Sequence, residues 1–291
     1  MPRAAKKNII IGLIIIAACL VLWFFAQVFS GRVVLPQTFR FGPLTIHYYG
    51  LTMAAAVAAG FWLAVKRAPK FGVEPKLAED LLFWIAVGGF VGARLYHVLS
   101  SIGYYYRHPI DIFKVYNGGL SIYGAVLAGI FALWLMVKIR RLSTPLLNLL
   151  DWLAPSVVLG QIIGRLGNFF NYEAFGYPTN LPWKMFVPTG FRPENFVAWR
   201  FFHPWFLYEI LGNLLILAWL LRRGKPIRSG TVVFSYLLLY NLLRFGLEFL
   251  RIDSTFLGAV RLNAAASFIL VLASAVALKL IRRHDHNDKT A

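Results

Sequence analysis

The run Gly164-Arg165-Leu166-Gly167-Asn168-Phe169-Phe170-Asn171-Tyr172-Glu173-Ala174-Phe175-Gly176 crowds an arginine, two asparagines and a glutamate at the end of a strongly apolar segment. A second such group closes another apolar segment. Arg244 and Glu248 are spaced i,i+4 and Glu248 and Arg251 i,i+3, so one helix face offers arginine, glutamate and arginine. Arg165 and Asn168, at i,i+3, share a face in the same way. A charge near the bilayer centre costs roughly 2.5–3.5 kcal/mol even on a lenient insertion scale, so apolar helices that carry one do so to line a polar site. Guanidinium matches phosphate through a planar two-pronged fork. The chemistry on offer is therefore capture of an anion at membrane depth, and the abundant phosphate there is a phospholipid headgroup. Glu248 and Glu209 read equally well as structural ion-pair partners of these arginines.

The elements that must hold these residues are membrane spans. Of 291 residues 59% are hydrophobic and 14% charged, with a mean hydropathy of +0.64. A soluble domain would carry about 25% charge. The pattern predicts an all-α, polytopic helical membrane bundle, since a β-barrel would alternate in short strands. Eight apolar stretches are long enough to span, near 8–29, 45–65, 79–100, 118–138, 146–168, 204–221, 229–249 and 260–281. The net charge of +18 gathers at alternate loops and both ends: Arg3/Lys6/Lys7, Lys66/Arg67/Lys70/Lys76, Lys138/Arg140/Arg141, Arg222/Arg223/Lys225/Arg228 and Arg282/Arg283. That is the positive-inside signature, so the charge reads as topology rather than as a nucleic-acid surface, and both termini are expected to be cytoplasmic. The single cysteine, Cys19, excludes an internal disulfide and a cysteine-based metal cluster. Its apolar run continues through Trp23-Phe24-Phe25, which makes it a membrane-embedded cysteine rather than a lipoprotein-type cleavage site. Gly88/Gly92 and Gly160/Gly164, each four apart, predict close helix packing.

On this topology six segments bring polar residues to the outer side. These are Tyr48 and Tyr49; Arg94 and His97; the run Asn117–Gly124; Arg165, Asn168 and Glu173; His203 and Glu209; and Arg244, Glu248 and Arg251. Arginines outnumber acids in this layer, which predicts a net positive site open to the outer leaflet. The long, proline-rich segment 170–203 reads as an irregular extracytoplasmic loop of the functional kind. His203 has the chemistry of a general base, although a histidine beside a proline also serves structure. His284 and His286, in a polar tail, read as solvated.

The motifs, in order, closely resemble those of bacterial prolipoprotein diacylglyceryl transferases. The resemblance runs over residues 40–282: His47-Tyr48-Tyr49-Gly50-Leu51, Gly92-Ala93-Arg94-Leu95, Gly118-Gly119-Leu120-Ser121-Ile122-Tyr123-Gly124, the run Gly164–Gly176, His203-Pro204 with Leu207-Tyr208-Glu209, and Arg244-Phe245 with Glu248, Arg251 and Asp253. It implies transfer of the diacylglyceryl group of phosphatidylglycerol to the lipobox cysteine thiol of preprolipoproteins, in the bacterial cytoplasmic membrane, with glycerol phosphate leaving. It implies substrate-binding roles for Tyr49, Arg94, Asn168, Glu173, Gly176, Glu248 and Arg251, and catalytic roles for Arg165 and Arg244. The general base stays open between Tyr123 and His203, and no metal or other cofactor is expected. Tyr123 stands where many members have histidine and others tyrosine.

The chain departs from the family pattern at Ala125, at Tyr172 where a glycine is usual, at Tyr177 where an arginine is common, and at Phe206 where a glutamine is usual. Residues 1–39 carry a first span additional to the usual seven, and 283–291 form a polar cytoplasmic tail. The alternative readings are a lipid-binding homologue without transferase activity, and a phospholipid or anion transporter. The apolar inner halves, such as Leu133-Trp134-Leu135-Met136, weigh against transport.

Overall fold

A computed structural model describes residues 3–223 and 228–290. The side chains of residues 1–10, 14, 18, 117, 224–227 and 284–291 lie outside that description, among them Lys225 of one basic cluster and His284 and His286. In order, the chain forms α1 (Arg3–Phe29), the hairpin β1 (Thr38–Phe41) and β2 (Leu44–His47), α2 (Tyr48–Arg67), α3 (Pro75–Ser100) and a short α4 (Ile102–Arg107). There follow α5 (Ile122–Ile139), α6 (Leu146–Asn171), β3 (Met185–Phe186), β4 (Phe201–Phe202), α7 (Trp205–Arg222), α8 (Thr231–Glu248), β5 (Phe256–Leu257), β6 (Val260–Arg261) and α9 (Leu262–Thr290).

Each expected span forms as a helix. Among the described residues, seven stretches are long and apolar enough to cross a membrane; they lie in α1, α2, α3, α5, α6, α7 and α9. The eighth, α8, is helical but carries Ser235, Tyr240, Asn241, Arg244 and Glu248, and is less apolar for it. The tail expected after residue 282 continues α9 to Thr290.

The chain divides into two compact units. One comprises Met1–Val57, Leu159–Ile216 and Leu238–Ala273; the other comprises Ala58–Val158, Leu217–Leu237 and Ser274–Ala291. In the second unit α3 and α5 meet through small residues. A Cβ on Gly88 would fall 2.7 Å from the Cβ of Ala132, and one on Gly92 would strike Ala128 and the Gly124 carbonyl. This is the backbone contact that the glycine spacing predicts. Its apolar core gathers Ala64, Phe71, Leu81, Leu133, Leu149 and Trp152, and the Trp152 indole N–H donates to the Ala64 carbonyl at 2.7 Å. The fully buried Asp151 of α6 accepts the backbone N–H groups of Gly230 and Val233, both at 2.7 Å. A carboxylate thereby caps the positive N-terminal end of α8.

In the first unit segment 170–203 is folded, not irregular. β3 and β4 pair antiparallel, Met185 opposite Phe202 and Phe186 opposite Phe201, and single bridges join Gly176 to Arg251 and Pro178 to Phe202. Met185, Val187 and Phe202 are buried in a core with Val28, Phe169, Phe175, Phe206 and Ile210. The prolines break the regular period, and apolar side chains pack the segment nonetheless. By contrast with Gly92, Gly160 has ordinary van der Waals room, 3.7 Å from the Ala56 carbonyl. Gly92→Leu is accordingly expected to cost about 1–3 kcal/mol by overpacking and Gly160→Ala well under that, read as thermal unfolding midpoints in detergent.

Candidate functional site

The site is built around one carboxylate. Glu209, one turn into α7, is fully buried. Its Oε2 meets Arg165 Nε at 2.9 Å and Arg244 Nη1 at 3.2 Å, while its Oε1 accepts from Arg165 Nη2 at 3.0 Å and from the Tyr240 hydroxyl at 3.0 Å. Arg165 is held by the bidentate fork, the strongest geometry open to it, and its Nη1 donates to Asn168 Oδ1 at 3.0 Å. This is the i,i+3 face expected of α6. Glu209 and Tyr240 are as fully committed as the arginines, and α6, α7 and α8 each supply part of the node.

A single indole lies under the cations. Trp205 is completely buried, its N–H on the Leu247 carbonyl, and the guanidinium carbons of Arg244, Arg251 and Arg165 stand 4.7, 5.4 and 5.5 Å from its ring centre. The negative face of the π-system attracts them. Glu248 continues the cluster. Its Oε1 accepts from Asn263 at 3.0 Å; its Oε2 takes no hydrogen bond and lies 3.6 Å from Arg244 and 4.0 Å from Arg251. Arg251 is forked onto Asp253 at 2.5 and 2.9 Å. Burial works against the Asp253 carboxylate, but the Arg251 fork outweighs it and holds that carboxyl below its ordinary range.

Arg165, Arg244 and Arg251 face Glu209, Glu248 and Asp253, and Arg261 adds a fourth guanidinium on the Glu248 carbonyl at 2.9 Å. The arginines are not sealed, however: the Arg165 side chain keeps 27% exposure and Arg244 13%, where Glu209 keeps none.

The end of α6 turns sharply away from this node. Tyr172 and Ala174 both take left-handed backbone, with φ of 54° and 52°, a region that favours glycine. The Glu173 N–H closes the helix on the Asn168 carbonyl, and the Glu173 side chain is exposed, 3.3 Å from Asn171 Nδ2. Gly176 donates its N–H to the His203 carbonyl, and a Cβ there would meet the Leu250 carbonyl and His203. Glycine at 176 is thus explained by close approach. Tyr49, at the start of α2, lies against Gly167, where a Cβ would fall 2.8 Å from its ring. His203 shares a hydrogen bond of 3.0 Å between Nδ1 and the Tyr208 hydroxyl, which accepts from the Trp183 indole at 2.8 Å. Burial lowers the His203 imidazole below its ordinary pKa of 6.5, which keeps it neutral at pH 7.

Two expected site residues belong to the second unit. Arg94 donates to four backbone carbonyls, those of Ile112 at 2.8 Å, Gly118 at 2.8 Å, Gly119 at 3.0 Å, and Asp111. Through these bonds the guanidinium holds the segment leading into α5. Tyr123, in the first turn of α5, is 62% exposed, with its ring 6.1 Å from that of Tyr96. Among the described residues no group of three or more His, Cys, Asp and Glu is placed to hold a metal ion. The sequence reading passed over Trp205, Tyr240 and Asn263 as contributors. Tyr240 had a signal, four residues before Arg244 on the same helix face.

Removing one partner of a buried ion pair costs about 3–5 kcal/mol, because the other charge is stranded. Glu209→Ala is expected to lose that much, whereas Asp253→Asn, at a carboxylate 52% exposed, stays within about 1 kcal/mol. Thermal unfolding of the two variants side by side checks the contrast.

With that geometry established, comparison places the chain among known proteins. The family model described as prolipoprotein diacylglyceryl transferase matches residues 36–280. Among bacterial proteins named phosphatidylglycerol--prolipoprotein diacylglyceryl transferase, that of Thermosynechococcus vestitus is 40% identical over 237 residues, 80% of this chain and 88% of that protein. The Synechocystis protein of the same name is 42% identical over 255 residues, 84% of this chain and 89% of its own. The Thermotoga petrophila protein, also of that name, is 39% identical over 262 residues, 89% of each. This multi-pass membrane chain belongs to the prolipoprotein diacylglyceryl transferase family.

Proposed function

We propose that this chain transfers the diacylglyceryl group of phosphatidylglycerol to the lipobox cysteine thiol of preprolipoprotein signal peptides. The observation that carries the reading is the Glu209 node, in which one buried carboxylate fixes Arg165 and Arg244 while leaving both partly exposed. In the reaction the cysteine sulfur bonds to the carbon of the diacylglyceryl moiety that carries the phosphate. The carbon–oxygen bond breaks, and its electron pair departs on glycerol phosphate. Arg165 and Arg244 stabilise the charge that develops on that phosphate, as preorganised donors do without reorganising during the step. The thiol proton goes to a base, for which Tyr123 and His203 are the candidates. Asn168, Glu173, Tyr49 and Gly176 shape the headgroup site, with Glu248 and Arg251 at its edge.

The same proposal places the chain in the bacterial cytoplasmic membrane with eight spans, both termini cytoplasmic and the node toward the outer leaflet. Support comes from the five basic clusters and from α8, whose 18 residues rise about 27 Å against a hydrocarbon core of about 30 Å. Residues 40–282 form the transferase body and 1–39 an addition to it, in line with the family match over 36–280.

Purified protein in detergent with phosphatidylglycerol and a lipobox peptide is expected to give a peptide heavier by one diacylglyceryl group, together with free glycerol phosphate. Absence of both products, where one of the bacterial relatives forms them, overturns the reading. Arg165→Lys is expected to fold and to lose about 100-fold in kcat, because a point charge cannot reproduce the fork; a rate near the parent's removes Arg165 from its role. Of His203→Gln and Tyr123→Phe, the variant that loses the base falls about 100- to 10,000-fold in kcat and the other does not.

A further inference from the structure

Among its described side chains, the first helix is attached to its unit near its C-terminal end. Among the described side chains of α1 only Val28 is buried, while Leu20, Leu22 and Trp23 are 60%, 69% and 62% exposed. The attachment is aromatic: the rings of Phe25 and Phe29 stand 5.5 and 6.1 Å from that of Phe169, which Phe206 meets at 5.6 Å. The helix then ends in a tight turn. Gly31, at φ 78°, donates its N–H to the Val28 carbonyl, and a Cβ on it would fall 2.6–3.0 Å from the Phe186 ring.

The chain leaving that turn is tied to the end of α6 by hydrogen bonds. The Leu35 N–H donates to the Tyr172 hydroxyl at 2.8 Å, and the same hydroxyl donates to the Leu35 carbonyl at 3.0 Å. Gln37 Nε2 adds a bond of 3.3 Å to the Asn171 carbonyl. The Tyr172 ring lies 4.9 Å from that of Phe191, and the residue is nearly buried in spite of its left-handed backbone. A glycine would adopt φ 54° without strain but has no hydroxyl to offer Leu35. The strained conformation persists because both ends of the side chain are held.

We propose that Tyr172 is a positioning residue: through its hydroxyl, the linker behind α1 fixes the turn 171–176, and with it Glu173 and Gly176, against Asn168. The first helix is then part of how the site is held, and a change at the α1–linker junction reaches the headgroup residues without touching them. The kinetic side of this inference rests on the transferase reading; the structural side does not.

The test compares full-length Tyr172→Phe, which keeps the ring and loses both hydrogen bonds, with Tyr172→Gly, which relaxes the backbone and loses them too. Both are expected to fall about tenfold in kcat/KM for phosphatidylglycerol, the scale of one to two net hydrogen bonds. Backbone amide exchange is expected to rise in Leu35 and in residues 172–176, with α7 unchanged. Gly31→Ala, which crowds Phe186 and touches no site residue, is expected to shift the same amides. Unchanged exchange in Tyr172→Phe overturns the proposal, as does a Tyr172→Gly variant with the parent's kcat/KM. Should the parent form no product, the transferase reading falls, and the exchange measurement still decides whether the linker holds the turn.

Discussion

A buried carboxylate needs partners for its charge, and Glu209 is fully buried. The arrangement of α6, α7 and α8 around it satisfies that need. Four donors from α6 and α8 converge on its two oxygens, so those helices are fixed to α7 in register and rotation. Trp205, four residues before Glu209 on α7, lies beneath the same arginines, so one helix supplies both the anion that orients them and the aromatic surface they rest on. A buried ion pair is weak evidence for stability by itself, since its desolvation cost rivals its attraction. Here its effect is orientation.

The loop that leaves this node shows how a chain meets two demands at one place. Segment 170–203 must return from α6 to α7 and also present Gly176 to Leu250 and His203. It does so with two-residue strands and a buried apolar core of its own. The departures at Tyr172 and Phe206 become intelligible in that core. Phe206 packs against Phe169, the ring that the end of α1 also meets, and Tyr172 bonds the linker behind it. Tyr172, which departs from the family pattern, is where the segment behind α1 is tied to the end of α6.

What the sequence disclosed depends on the range of the interaction involved. The existence of the helices was legible, though their ends differ by up to nine residues, because runs of about 20 apolar residues dominate every other signal. The shared face of Arg165 and Asn168 was legible from i,i+3 spacing. The fold of 170–203 was not, because strands such as Met185–Phe186 are too short to show a period. The partners of Arg94 were not legible for a different reason: its acceptors are main-chain carbonyls 17 to 25 residues away, and no side chain there marks them. The fork of Arg251 on Asp253 was not legible because Asp253 lies outside the helical run, and residues two apart have no helical periodicity.

Charge balance in the node bears on turnover. Two uncompensated arginines would grip the phosphate of the substrate and of the departing glycerol phosphate alike, and uniform binding lowers KM without raising kcat. With Glu209 already occupying one edge of each guanidinium, the arginines meet a headgroup as oriented donors carrying a partly neutralised charge. Their advantage grows as the carbon–oxygen bond breaks and negative charge accumulates on the leaving phosphate. On the proposed reading, Glu209 therefore contributes more than a seat: it holds both guanidinium groups in the orientation that meets the charge accumulating on the departing phosphate, which is where a transferase gains rate.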